Sequence, residues 1–372
     1  FHGTPESLMR VLLLLLAALL SLPASALEKV TLQLKWKHQF QFAGYYAAQE
    51  KGYYREAGLD VSIVEAGPET DPVREVLDGR AQFGVSNSAL LLERAQGKPV
   101  MALAVIFQHS PFILAARRDE GIRTVHDLVG KRLMVEPHAD EVFAYLRKEG
   151  ISEAQLQIQP HSLDHQDLID GRTDVLTAYS TDEPFFFEKK KFAYLELSPR
   201  AAGIDFYGDN LFTTAEEVAR RPQRARAFRE ASLKGWAYAM QHPEALAELI
   251  LARYGERKSR AHLLFEAGEM KSLLRPDLVG IGHMHAGRWR HIADTYAELG
   301  MMKRDFPLDG FLYEPAPASR SNLAVAVTIG AGATLVLVAV VLGFTSLTRQ
   351  LRREIASRRQ IEADLRESDN KF

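Results

Sequence analysis

Apolar residues in this chain follow three different rhythms. Residues 11–20 form one short unbroken run ahead of Pro23, and residues 323–347 form a long run without a charge. Between them the period keeps switching. Residues 30–36 alternate apolar and polar, which predicts a first strand. Residues 42–51 predict a helix that stops at Gly52, and residues 59–64 a second strand. Asp71-Pro72 opens another helix, because proline is preorganised for the first helical position. Strands at 81–85 and 101–107 bracket a helix at 88–96 closed by Gly97. A short helix at 125–130, a strand at 132–135 and a helix at 140–148 follow. Strands alternating with helices imply an α/β fold on largely parallel sheets. From Thr213 the text turns helical. Thr214-Ala-Glu-Glu217 is a capping-box pattern, and helices are expected at 224–241, 243–254, 261–273 and 286–299.

One pattern occurs twice. Leu77-Asp-Gly-Arg-Ala-Gln-Phe-Gly-Val85 recurs as Ile169-Asp-Gly-Arg-Thr-Asp-Val-Leu-Thr177. In each copy a helix closes on Asp-Gly-Arg, with glycine as the left-handed cap, and a strand follows at once. Each strand opens into a polar loop, Ser86-Asn87-Ser88 in the first copy and Tyr179-Ser-Thr-Asp-Glu-Pro184 in the second. Ligands of open α/β sheets bind at the carboxyl ends of strands, so two such ends facing each other make a clamp. The expected division is one lobe at 27–110 and 213–315 and another at 111–212.

The two apolar runs set the cell biology. About 25 residues at 1.5 Å each cross a hydrocarbon core of about 30 Å with some tilt. Arg349, Arg352, Arg353, Arg358 and Arg359 follow residues 323–347, whereas Arg320 alone stands close before them. Basic excess stays in the cytoplasm, so the body is expected outside, 316–322 as a tether and 348–372 inside. Met9-Arg10, the run at 11–20 and Ala24-Ser25-Ala26 fit upstream residues plus a signal peptide over 1–26. The expectation is a bacterial inner-membrane protein with a periplasmic domain. Leu347, Leu351, Ile355, Arg358, Ile361 and Leu365 keep roughly heptad spacing, as in a helix that pairs with a second copy.

Composition removes several function classes. Lys and Arg number 46 against 48 Asp and Glu, so no overall basicity points to nucleic acid. The chain has no cysteine, which excludes disulfides, thiolate metal sites, a cysteine nucleophile and a lipoprotein anchor. No cofactor is expected. His161-Ser-Leu-Asp-His165 and His283-Met-His285 offer no third metal ligand and read as surface or core histidines.

Residues 34–61, from Leu34-Lys-Trp-Lys-His-Gln-Phe-Gln-Phe-Ala-Gly-Tyr-Tyr to Gly-Leu-Asp-Val61, carry a resemblance. With Gly84-Val-Ser-Asn-Ser88, Tyr179-Ser-Thr-Asp-Glu-Pro184, Phe206-Tyr-Gly-Asp209 and Lys234-Gly-Trp-Ala-Tyr-Ala239, this stretch resembles the thiamine-pyrimidine-precursor binding family. These are periplasmic solute-binding proteins of the type II two-lobed fold, related to pyrimidine synthases. The membrane-anchored layout looks like the family's sensor form. The closing residues 365–372 resemble the start of a PAS domain, with a histidine kinase or diguanylate cyclase as the expected output. The resemblance puts Trp36 at the cleft floor against a flat heterocycle, with Tyr179 approaching from the other lobe. Glu183 would accept hydrogen bonds from an amino-pyrimidine or cation. Trp36-Lys37-His38-Gln39 and Asp182-Glu183-Pro184 depart from the family's usual polar residues, which leaves the ligand open. The synthase members use a cysteine-rich stretch that this chain lacks, so no enzyme activity is expected of the residues present.

The candidate ligand-binding residues are Trp36, Gln39, Gln41, Tyr45, Ser86, Asn87, Ser88, Tyr179, Asp182, Glu183, Tyr207 and Asp209. Phe42 and Tyr46 read as core. Gln39 and Gln41 have amide edges suited to ring nitrogens, and equally suit a solvated loop. Ser88 reads first as a helix cap. Asp182 and Glu183 stand beside Phe185-Phe-Phe187, where a carboxylate needs a partner. The expected function is a sensor that closes on a small planar ligand. The rivals are a tethered binding component of an importer and a pyrimidine-metabolism enzyme.

Overall fold

The computed structural model describes residues 26–118, 121–255, 257–315 and 320–369. The proposed signal peptide, most of the tether and the last three residues lie outside the described residues.

Residues 26–314 form one compact unit built on two five-stranded sheets. The first has order β2-β1-β3-β10-β4, with β1 Glu28–Gln33, β2 Leu59–Val64, β3 Phe83–Ser86, β4 Val100–Val105 and β10 Asn210–Thr214. The second has order β7-β6-β8-β5-β9, with β5 Phe112–Arg117, β6 Arg132–Val135, β7 Gln157–Pro160, β8 Val175–Tyr179 and β9 Tyr194–Leu197. In each, three parallel strands meet an antiparallel one, β3 against β10 and β8 against β5. Strands β3 and β8 are buried along their whole length, as apolar runs covered on both faces must be. The chain crosses between sheets twice, after β4 and before β10. The helices Pro222–Gln241, Pro243–Tyr254 and Arg260–Leu274 then pack on the first half, in one apolar core with Trp236, Phe228 and Leu246.

The repeated motif is structural. Gly79 and Gly171 end their helices at φ +75° and +72°, a conformation open to glycine. The arginine after each reaches back to the same two places: Arg80 pairs with Glu75 and Asp78, and Arg172 with Asp167 and Asp170. The sheets also share a register. Leu32 stands beside Phe83, and Leu133 beside Val175. Since Phe83 and Val175 hold the same place in the motif, Lys35 and Glu136, three residues beyond each leucine, are equivalent positions.

Several boundaries differ from the sequence pattern. β1 ends at Gln33, so Leu34 to Trp36 leave the sheet and put Trp36 in the loop. The helix expected from residue 88 begins at Leu90, and Ser88 does not cap it. The Ser88 hydroxyl donates to the Tyr207 carbonyl at 2.7 Å, while Asn87 Oδ1 accepts from the Ala89 N–H at 2.8 Å. Half of the capping box at Thr214 forms: its hydroxyl accepts from the Glu217 N–H, but the Glu217 carboxylate pairs with Arg224.

The helix Arg320–Asp369 is described separately. Among the described residues, its stretch Gly330–Arg366 is long and apolar enough to cross a membrane, and none of its apolar window is buried. Thr334 and Thr348 hydroxyls bond to the carbonyls of Gly330 and Phe344, so they need no water. Leu347, Leu351, Ile355, Ile361 and Leu365 are all exposed.

Candidate functional site: a cleft between the two sheets

The loops after β1 and β6 and the end of β8 converge on one cavity. Lys35, Trp36, Gln39 and Gln41 line it from the first half, and Glu136, Thr177, Ala178, Tyr179, Asp182 and Glu183 from the second. A short 3-10 turn, Phe40–Phe42, with Phe40 and Phe42 in the core, holds Gln39 and Gln41 in place. The Phe40 N–H donates to Glu266 at 2.7 Å, which fixes where that turn begins.

The floor is a chain of buried polar groups. Gln39 Nε2 donates to Gln41 Oε1 at 2.6 Å, and Gln41 Nε2 to Asp209 at 2.7 Å. The Tyr179 hydroxyl donates to Asp209 at 3.2 Å. The Lys35 ammonium donates to that hydroxyl and stands 3.9 Å from Asp209 and 4.0 Å from Glu136. It also lies over the rings of Phe112 and Tyr179, 5.1 and 4.6 Å from their centroids. Burial raises the Asp209 carboxyl despite Lys35, and raises Glu136 to about 7. Trp36 is half-buried, edge-on to His161 at 5.4 Å between centroids, and burial lowers that histidine to about 4. His161 is therefore neutral at pH 7.

A second cluster closes the cleft at its side. Lys258, between the helices Pro243–Tyr254 and Arg260–Leu274, donates to both Asp182 and Glu266. His262 Nε2 lies 2.9 Å from Asp182. Burial pushes Asp182 up, but Lys258 and His262 outweigh it and hold its carboxyl well below the usual range. Its neighbour Glu183 goes the other way, raised by burial and by the Asp182 charge, while accepting from the Tyr179 N–H at 2.8 Å. Ligand atoms of Asp182, His262 and Glu266 lie within 4.8 Å of one another, as a metal site would require. Lys258 already supplies the positive charge there.

Of the residues singled out in the sequence, Trp36, Gln39, Gln41, Tyr179, Asp182 and Glu183 line the cavity, and Asp209 supports it from below. Ser86 and Asn87 border a neighbouring pocket with Lys35, Thr70, Pro137 and His138. Tyr45, Ser88 and Tyr207 do not come to the cavity. Tyr45 packs on Trp236 in the core, and Tyr207 packs on Trp289. Lys35, Glu136, Lys258, His262 and Glu266 were not foreseen. The internal repeat could have found Glu136, because it is the counterpart of Lys35 beside the motif tryptophan.

His138 joins the halves at the mouth. It holds φ +60°, and its Nε2 lies 2.8 Å from Asp71, the cap of the helix Pro72–Leu77. Burial lowers His138, but Asp71, Glu93 and Asp140 outweigh it and raise it; Asp71 is lowered to about 2, burial being outweighed by His138. The histidine's contribution is complete below its ordinary value of about 6.5 and is lost as pH rises through the raised one. The aspartate's is complete above about 4 and is lost as pH falls toward about 2. The stability difference between wild type and His138→Asn, which keeps a residue tolerant of left-handed φ, is therefore expected to shrink from pH 6 to pH 9 in thermal unfolding. A difference that stays constant over that range would refute the ion pair.

A family model described as NMT1/THI5 like matches residues 39–246. The chain belongs to that family. It is 24% identical over 290 residues to the riboflavin-binding protein RibY of Chloroflexus aurantiacus, covering 74% of this chain and 82% of that one. It is 25% identical over 240 residues to the formylaminopyrimidine-binding protein of Halalkalibacterium halodurans, covering 62% and 72%. Other relatives are named as 4-amino-5-hydroxymethyl-2-methylpyrimidine phosphate synthase. Among solved structures, the alkanesulfonate-binding protein SsuA from Xanthomonas axonopodis pv. citri bound to MOPS is similar, with a TM-score of 0.61 at 12% identity over 78% of this chain and 99% of that one. That likeness shows the fold: the two-sheet α/β architecture of periplasmic binding proteins. In the NMT1/THI5-like chain described here, the cavity lies between the sheets at their strand ends.

Proposed function

We propose that this chain is a membrane-anchored periplasmic sensor whose cleft binds a small planar nitrogen heterocycle, a thiamine-related pyrimidine. One observation carries the reading: a single cavity is lined from both sheets by an aromatic face, Trp36, and by amide and carboxyl groups, Gln39, Glu136 and Glu183. Such a site stacks a ring and reads its edge with a few polar groups. Relatives named for binding riboflavin and formylaminopyrimidine support a heterocycle as ligand. The reading makes the apolar helix a transmembrane anchor, with the body outside and the arginine-rich end inside. Its exposed stripe from Leu347 to Leu365 would pair with a second copy, and lobe closure would pass along the helix to a cytoplasmic output. A ligand drives closure only by binding the closed state better than the open one.

The same relatives favour a second reading, a tethered binding component that feeds an importer. It shares the cleft and needs no pairing of the inner helix. Titration of the full chain in detergent with 4-amino-5-hydroxymethyl-2-methylpyrimidine tests the cleft. Trp36→Ala and Glu183→Ala are each expected to weaken binding at least about tenfold, the worth of one stacked ring or one buried hydrogen bond. Undiminished affinity in both variants would refute the site. Crosslinking at residue 351 in membranes separates the sensor from the importer component, since only the sensor requires the helices to pair.

A further inference from the structure

Glu136 is the least satisfied charged group of the cavity. Its side chain is 6% exposed, yet among the described residues its carboxyl accepts no hydrogen bond, and its closest cation is Lys35 at 4.0 Å. Gln39 Oε1, in the same lining, is buried and also without a partner. A buried acceptor left unpaired is costly, so a native site that sets Gln39 Oε1 beside a carboxyl with no hydrogen-bond donor is built for something that supplies donors. The donors around them are already engaged. Lys35 bonds to Tyr179 and faces Asp209, Gln39 Nε2 bonds to Gln41, and Gln41 Nε2 bonds to Asp209. Charge points the same way: Glu136 and Asp209 share one ammonium, with Asp182 already matched by Lys258.

We propose that Glu136 is a further ligand-recognising residue, and that the cavity takes a ligand edge rich in N–H donors: an amino-substituted heterocycle or an organic cation, not an anion. This rests on the reading above for the location of the site and narrows its ligand. The repeat explains the geometry. Lys35 and Glu136 are equivalent residues on the two halves, so closure brings opposite charges together with the ligand's edge between Glu136 and Gln39. An amidine-like edge, a ring nitrogen beside an amino group, is the natural complement of a carboxyl. The amino group donates to one oxygen, and the ring nitrogen shares a proton with the other. Burial holds Glu136 near neutrality with Lys35, Asp209 and His138 as its charged neighbours, so either partner can carry that proton.

The test is calorimetric titration of the full chain in detergent with 4-amino-5-hydroxymethyl-2-methylpyrimidine, its 4-oxo analogue, cytosine, agmatine and MOPS. The amino compound is expected to bind at least about tenfold more tightly than the oxo analogue, and MOPS not at all. Glu136→Gln, which is isosteric and can donate as well as accept, is expected to narrow the amino-to-oxo ratio about tenfold; its unfolding curve verifies that it folds. If the pyrimidine fails but cytosine or agmatine binds and loses affinity in Glu136→Gln, the pyrimidine reading falls and this one stands. Binding of MOPS alone, binding of none of the probes, or a ratio unchanged in Glu136→Gln would overturn it.

Discussion

Replacing Lys258 with methionine is expected to cost about 3–5 kcal/mol of stability at neutral pH. The side chain fits by volume, so the loss comes from charge. Lys258 is the ammonium shared by Asp182 and Glu266, whose side chains are 3% and 2% exposed. Removing it leaves two buried carboxylates facing each other, with the His262 ring 2.9 Å from Asp182 and 3.9 Å from Glu266. In a body of this size the loss lowers Tm by roughly 10 °C. Two further results follow from the same physics. Adding Glu266→Gln to Lys258→Met removes one uncompensated charge and restores part of the loss. The deficit of the single variant also narrows as pH falls, because Glu266 is raised by burial and protonates first. A change below about 1 kcal/mol would mean that the carboxylates find solvent and that the cluster does not hold the halves together. Asp182 opens the second half's helix Glu183–Lys189, whereas Glu266 belongs to a helix covering the first and Lys258 to the loop leading into it, so the cluster ties the halves together beside the ligand cavity.

Much of this architecture can be read from local chemistry. Strand β2, the helices Asp140–Lys148 and Pro243–Tyr254, and both Asp-Gly-Arg turns lie where hydrophobic period, proline and glycine put them. Trp36 and Glu183 reach the cavity because one lies in the loop that leaves β1 and the other opens the helix after β8, both at a sheet's carboxyl edge, although alternation alone would have kept Trp36 in the strand. The rest of the site depends on pairings distant in sequence. Lys258 meets Asp182 across 76 residues, and Phe40 meets Glu266 across 226. No periodicity carries that information. Glu136 sits in a strand-end context that looks solvated, and its burial comes from the opposing half. Ser88 shows the reverse case. Its residue type suits a cap, but its hydroxyl donates to the nearby Tyr207 carbonyl, and the helix starts without a side-chain cap.

The largest loss is expected from a single methyl group, in Gly235→Ala. The helix Pro222–Gln241 crosses the helix Ala43–Glu50 backbone to backbone at this residue. A Cβ there would fall on the Gly44 carbonyl oxygen and lie 2.7 Å from both the Ala48 N and its Cβ. Backbone atoms cannot rotate away, so the helices must part. Gly44 is the reciprocal position, since a Cβ on it would fall within the Trp236 ring. Overpacking ordinarily costs about 1–3 kcal/mol, and this contact, with no flexible atom to yield, should exceed that range. The glycines of Phe42-Ala-Gly-Tyr-Tyr46 and Lys234-Gly-Trp236, which make the chain recognisable in sequence, thus serve one helix crossing and not the ligand. The consequence still reaches the cavity, because the helix Ala43–Glu50 continues directly from the turn that carries Gln39 and Gln41. Gly268→Ala is the matched control: it is also mid-helix, a Cβ there meets nothing within 4 Å, and alanine should leave stability unchanged or raise it by about 0.5–1 kcal/mol. Urea unfolding of the two variants side by side decides the matter. Equal midpoints would mean that the helices are free to separate, and that the close crossing is not what fixes the floor of the cleft.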